Sequence, residues 1–108
     1  MNNISIVLST YNEANNIRQA LTKLVDKDSI KEIIIIDDNS TDGTVSIIKD
    51  FNNDKIKLFI RRNTRGFASA FIFGIIISKE DYILRFDIDM HLEIDFFMNA
   101  FEKNRDRD

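Results

Sequence analysis

Ile33-Ile34-Ile35-Ile36-Asp37-Asp38-Asn39-Ser40-Thr41-Asp42-Gly43 is the stretch that decides the fold. Its four consecutive isoleucines show no alternation. Such a strand has no solvent face, and strands buried on both faces sit inside parallel sheets covered by helices. The run then breaks into two carboxylates and a group of turn-forming and helix-capping residue types. The stretch therefore predicts a central strand, a polar loop at its carboxyl end, and a helix running to about Phe51.

The same pattern recurs on both sides. Ile4 to Ser9 reads as a first strand. Thr10-Tyr11-Asn12-Glu13 follows it, and Thr10 and Glu13 have the spacing of a capping box. Ile17, Leu21, Leu24 and Val25 then recur at helical spacing, which predicts a helix from about Glu13 to Val25. Downstream, Ile56 to Ile60 alternates partly and belongs near a sheet edge. Arg61 to Gly66 makes a loop. Ala68 to Ser78 predicts a helix apolar nearly all round, and such a helix is expected to be mostly buried. Gly74 lowers its helix propensity, in return for close packing on a neighbour. Tyr82 to Phe86 is a fourth strand, ending at Asp87 and Asp89. The stripe Ile94, Phe97, Met98, Phe101 marks a last helix, and the charged tail from Glu102 is expected to fray.

Strands and helices thus alternate four times with short connections. This pattern predicts an α/β fold, a Rossmann-like three-layer α/β/α arrangement with a mostly parallel sheet. Residues 1–108 form a single domain. In such sheets the ligand lies beyond the carboxyl ends of the strands, at a topological switch point. The segments Thr10 to Glu13, Asp37 to Asp42 and Asp87 to His91 each follow a strand, so all three fall on one rim.

Composition removes several classes of function. The net charge of -3 mixes both signs, which argues against a nucleic-acid binder. There is no cysteine and a single histidine, so neither a disulfide framework nor a zinc site of the Cys/His type can be built. No phosphate-loop pattern and no nucleophile elbow are present. The N-terminus runs directly into a strand, without the pattern of a leader. The longest apolar stretch, Phe67 to Ser78, is well short of the ~20 residues that span a bilayer. The expected location is cytoplasmic, peripheral at the cytoplasmic membrane face at most.

At the rim, side chains two apart on an extended strand share a side, so Asp87 and Asp89 are expected to face one space. Two hard oxygen ligands suit Mg²⁺ or Mn²⁺ holding a substrate diphosphate. Carboxylates elsewhere on the rim can accept from a ribose hydroxyl or a base N–H. Ordinary capping explains Thr10 with Glu13, and Asn39 or Ser40 with Asp42, equally well. Asp37 beside Asp38 calls for more, because adjacent carboxylates repel and a ligand or donor should compensate them. The cluster Lys55, Lys57, Arg61, Arg62, Arg65 reads as a solvated face, or as a contact for a diphosphate or anionic headgroups.

The segments Ile6 to Glu13, Glu32 to Thr44, Gly66 with its small-residue helix, and Asp81-Tyr82 leading to Asp87-Ile88-Asp89 resemble, in order and spacing, the N-terminal part of a family 2 glycosyltransferase of the GT-A fold. The likeness is to the branch of dolichyl-phosphate mannosyltransferases and polyprenyl-phosphate glycosyltransferases. It implies a UDP- or GDP-linked nucleotide-diphospho-sugar donor and Mg²⁺ or Mn²⁺. Carried over by position, it places Thr10, Tyr11, Glu13, Ile36 and Asp38 around base and ribose. Asp87 and Asp89 become the pair that handles ribose, metal and diphosphate, and His91 stands beside the metal. The acceptor it implies is a polyprenyl or dolichyl phosphate at a membrane surface, or a saccharide. Three positions depart from the family pattern. Ser9 replaces a proline, Asn63-Thr64-Arg65-Gly66 alters the usual Asn-x-Gly, and Arg85 replaces an apolar strand residue.

In that family the acceptor site and catalytic base lie well beyond the acidic pair. The resemblance therefore implies the donor-binding half of a longer enzyme, truncated at its C-terminus, with donor binding but little or no turnover. It assigns no catalytic residue; Glu93 and Asp95 are base candidates only by proximity. Two other readings compete. A receiver-type module lacks its acidic pair after the first strand, since Ser9-Thr10-Tyr11 stands there. A non-catalytic, self-associating module would use the aromatic weight of Phe67, Phe71, Phe73, Phe96, Phe97 and Phe101, and a homodimer would follow.

Overall fold

The structure is a computed structural model that describes residues 3–104, apart from the side chains of Met90, His91, Leu92, Phe97 and Asn104. Four strands, β1 (Ile4–Thr10), β2 (Ile30–Asp37), β3 (Ile56–Ile60) and β4 (Tyr82–Phe86), form one sheet in the order β3-β2-β1-β4. Every pairing is parallel. The connections β1–β2 and β2–β3 step one way across the sheet, and the chain then returns to place β4 beside β1. The topological switch point therefore lies between β1 and β4. Thr10 pairs with Asp37, Asp37 with Ile60, and Leu8 with Phe86, so all four carboxyl ends share one rim.

The isoleucine run serves both faces of the sheet. Ile33 and Ile35 pack with Ile4, Ile6, Leu8 and Phe86 under α1 (Ala14–Val25) and α2 (Thr44–Asp50). Ile34 and Ile36 point the other way, under Ala70 of α3 (Phe67–Ile77). After β4 the chain makes a 3₁₀ turn (Ile88–Glu93) and then α4 (Ile94–Asn104), whose Ile94 and Met98 join the α1 side. The layers are thus α1, α2 and α4, then the sheet, then α3. β3 lies at an edge, as its partial alternation predicts.

Gly74 lets α3 approach β1. A Cβ there would meet Val7 Cγ1 at 2.4 Å. The rest of α3 departs from expectation. Only Ala70 and Gly74 are buried, while Phe67, Ile72, Ile75 and Ile76 are exposed, Ile76 at 74%. An all-apolar helix signals burial, but burial needs something on each side. α3 rests on β1 and β2, and no described residue covers its outer face.

The charged Glu32 is also buried, on the α3 side of β2. Its carboxylate accepts from Ser5 Oγ (2.5 Å), Lys57 Nζ (2.6 Å) and the Lys79 N–H (2.7 Å). Burial pushes this carboxyl upward and is the largest single influence. The hydrogen bonds from Lys57, Ser5 and Lys79, with the charge of Lys57, outweigh it and hold the carboxyl below its ordinary range.

Candidate functional site

The first and second rim loops are tied to each other. Asn12 donates its N–H to Ser40 Oγ (2.8 Å) and accepts from the Thr41 N–H at Oδ1 (2.8 Å). The N–H groups that open α1 are satisfied across the gap: Glu13 by Thr44 Oγ1 (2.9 Å) and Ala14 by Asp42 Oδ2 (3.1 Å). The capping box expected from Thr10 and Glu13 does not form. Glu13 is itself the N-cap, without a side-chain cap, and Thr10 is still in β1. Spacing alone identified a local cap, but a neighbouring loop supplies a better one. Asn12 and Asn39 take the left-handed conformation (φ 53° and 63°) that asparagine tolerates, which turns both loops tightly.

The adjacent carboxylates are compensated by the chain itself. Asp37 is fully buried and accepts from Thr10 Oγ1 (2.7 Å), the Ser40 N–H (2.8 Å) and Ser40 Oγ (2.6 Å). Asp38 accepts a two-pronged bond from Arg61, Nε at 2.8 Å and Nη2 at 3.0 Å, and a third from the Gly66 N–H at 3.1 Å. Gly66 sits at φ 116°, a region that disfavours side chains.

Two recesses open on the rim. One, of about 340 Å³, is lined by Ser9, Tyr11, Glu13, Asp38, Arg65, Gly66 and Phe67. The second, of about 270 Å³, is lined by Ser9, Glu13, Phe67, Arg85, Asp87, Ile88 and Asp89. Ser9, Glu13 and Phe67 line both, so the recesses are two ends of one cleft that crosses the β1–β4 switch point. Tyr11 is 44% exposed, and the Arg65 guanidinium stacks 4.4 Å from its ring centre. At the other end Arg85 reaches Asp87 Oδ1 (3.4 Å) and lies 5.9 Å from the Phe67 ring centre.

Tyr11, Glu13, Asp38, Asp87 and Asp89 therefore meet in the cleft. The acidic pair shares a recess for a reason other than the one expected. The strand stops at Phe86; Asp87 is the link between strand and 3₁₀ turn, Asp89 lies in the first turn, and Ile88 is buried between them. Two expected residues are not in the cleft lining. Thr10 is 1% exposed and committed to Asp37, and Ile36 is fully buried with Ile34 and Ala70 beneath α3. The side chain of His91 lies outside the described residues. Neither Glu93 nor Asp95 lines the cleft; Asp95 pairs with Lys27, whose bond and charge hold its carboxyl below the ordinary range. Ser9, Arg65 and Phe67 were not legible as cleft residues. Arg65 belonged to a charge cluster, and Ser9 and Phe67 are apposed only by the parallel order of β1, β2 and β4. Among the described residues no group of three or more carboxylate or imidazole side chains is arranged to hold a metal by itself.

The chain is thus of the Rossmann-like α/β class, with an acidic and aromatic cleft at the switch point of its sheet, and comparison narrows it. The model of "Glycosyl transferase family 2" matches residues 5–105. The chain belongs to that family. Poly-beta-1,6-N-acetyl-D-glucosamine synthase of Staphylococcus epidermidis is 34% identical over 106 residues, covering 94% of this chain and 26% of that protein. Dolichol-phosphate mannosyltransferase of Saccharomyces cerevisiae is 28% identical over 109 residues, covering 94% and 41%. The chain thus spans between about a quarter and two fifths of the length of these relatives. Among solved structures, a mannosyltransferase from Pyrobaculum calidifontis in complex with GDP-Man and Mn²⁺ superposes with a TM-score of 0.71 at 24% identity, over 80% of this chain and 27% of that one. Staphylococcus aureus TarS 1-349 in complex with UDP gives 0.72 at 22% identity, over 94% and 33%. The fold is that of the GT-A glycosyltransferases.

Proposed function

We propose that this domain binds a nucleotide-diphospho-sugar, UDP- or GDP-linked, with a divalent cation, as the donor-binding part of a glycosyltransferase. The observation that carries the reading is the single cleft joining Tyr11 and Asp38 to Asp87 and Asp89. Its length separates an aromatic face and an acceptor, suited to a base and ribose, from a pair of carboxylates suited to a diphosphate. The family match and the nucleotide complexes of similar structures support it.

Asp87 and Asp89 would hold the cation. Two carboxylates leave most positions of an octahedral ion to water and phosphate oxygens, the usual arrangement for Mg²⁺ or Mn²⁺ on a substrate diphosphate. The ion would supply Lewis-acid neutralisation of charge on the departing nucleotide diphosphate. Glu13, present at both ends of the cleft, would face the ribose, and His91 would stand near the diphosphate. The dolichol-phosphate and poly-N-acetylglucosamine relatives point to a lipid-phosphate or a saccharide acceptor.

The base-stacking role is tested by titrating UDP and GDP into wild type and Tyr11→Ala. Wild type should bind at least one of them, and the variant should bind it on the order of tenfold more weakly, the scale of one aromatic stack. Equal affinity in both proteins would remove Tyr11 from the site.

A second reading has one observation in its favour. The exposed outer face of α3, Ile72, Ile75 and Ile76, carries no charge and would favour self-association.

A further inference from the structure

Arg61 closes β3 onto the cleft. Its side chain is 14% exposed, and every guanidinium nitrogen has a partner. Nε and Nη2 hold the two oxygens of Asp38 at 2.8 and 3.0 Å. Nη1 donates to Ser69 Oγ at 2.9 Å, and Nη2 also donates to the Gly66 carbonyl at 3.1 Å. The Arg61 N–H donates to the Asp37 carbonyl at 2.8 Å. One side chain thus joins the end of β2, the end of β3 and the first turn of α3.

The consequence falls on Asp38. A carboxylate has about four lone-pair sites. Arg61 Nε takes one on Oδ1; Arg61 Nη2 and the Gly66 N–H take two on Oδ2. The acceptor position left over is on Oδ1, and Asp38 lines the cleft. Two parallel bonds fix the plane of the carboxylate, which a single ammonium cannot do. The same fork holds the Gly66 turn, and so the residues Arg65 and Phe67 on either side of it.

We propose that Arg61 is a positioning residue for donor binding: its fork fixes the plane of Asp38 and the Gly66 turn, so that Asp38 presents one aimed acceptor to the nucleotide. The inference rests on the donor-binding reading above. It takes Arg61 out of the solvated charge cluster and gives it a role exerted through Asp38, without contact to the ligand.

The test is a double-mutant cycle read by nucleotide affinity. UDP and GDP are titrated, with Mn²⁺, into wild type, Arg61→Lys, Asp38→Asn and the double variant, each well below its own melting temperature. Arg61→Lys keeps the charge and loses the fork, and it should weaken nucleotide binding roughly tenfold. In the Asp38→Asn background the same change should have little further effect, because the two act as a unit. Arg61→Met serves as a second variant and should weaken binding at least as much. Wild-type affinity in Arg61→Lys, or losses that simply add in the double variant, would overturn the inference while leaving the donor-binding reading intact. Failure of wild type to bind either nucleotide would overturn both.

Discussion

Glu32 is 1% exposed, in the layer between sheet and α3, and three donors from separate parts of the chain converge on its carboxylate. Its folded-state proton affinity lies below the ordinary value of 4.5. A depressed carboxyl stabilises the fold at pH above the unfolded value, and that contribution is lost as pH falls through the folded one. Glu32→Gln should therefore cost about 1–3 kcal/mol at pH 7, moderated by the partial exposure of Lys57. The difference from wild type should shrink as the pH is lowered below 4.5. Urea unfolding of both proteins at pH 7 and pH 3 checks this, and an equal difference at the two values contradicts it. Little of this was legible beforehand, because a glutamate before four isoleucines looks like a strand entry. Asp87 and Asp89 were legible, since their place after a strand put them on the rim. The Arg61–Asp38 pair was not. Its partners are 23 residues apart and meet only because β3 lies next to β2.

At the level of elements, α1 is started by another loop. Thr44 Oγ1 accepts the Glu13 N–H, and Asp42 accepts those of Ala14 and Thr44. Thr44→Val keeps the shape and removes the acceptor, so it should cost about 1 kcal/mol, as a lost cap does, and lower the melting temperature. An unchanged melting temperature would show that the cross-loop cap contributes nothing. α3 is limited by contact with β1. Gly74→Ala places a methyl against Val7, and overpacking of this kind should cost about 1–3 kcal/mol despite the better helix propensity of alanine. Thermal melting decides the sign, and a stabilised variant would mean that the two elements separate easily. Helices α1 and α4 were readable from their periodicity, and α3 from its unbroken apolar run with small residues. Where α3 is covered was not, because its sequence is equally apolar on the covered and the bare side.

On the scale of the whole molecule, the parallel order β3-β2-β1-β4 does two things. It brings three loops, distant in sequence, onto one rim, and it leaves the outer side of α3 apolar and exposed. The first follows from alternation of strands and helices and was legible; the second depends on what lies next to the helix. If the bare face promotes association, sedimentation should show mass rising with concentration, and Ile72→Lys with Ile76→Lys should abolish the rise. A monomer at all concentrations would count against the self-association reading. Among the described residues no helix is long and apolar enough to cross a membrane. The central claim is that both ends of the cleft hold one ligand, nucleotide at Tyr11 and Asp38 and cation-bound diphosphate at Asp87 and Asp89. Calorimetric titration of UDP and GDP with and without Mn²⁺, into wild type and Asp89→Ala, tests it most directly. Mn²⁺ should strengthen nucleotide binding to wild type, and that gain should vanish in Asp89→Ala; binding indifferent to both the metal and Asp89 would contradict the account.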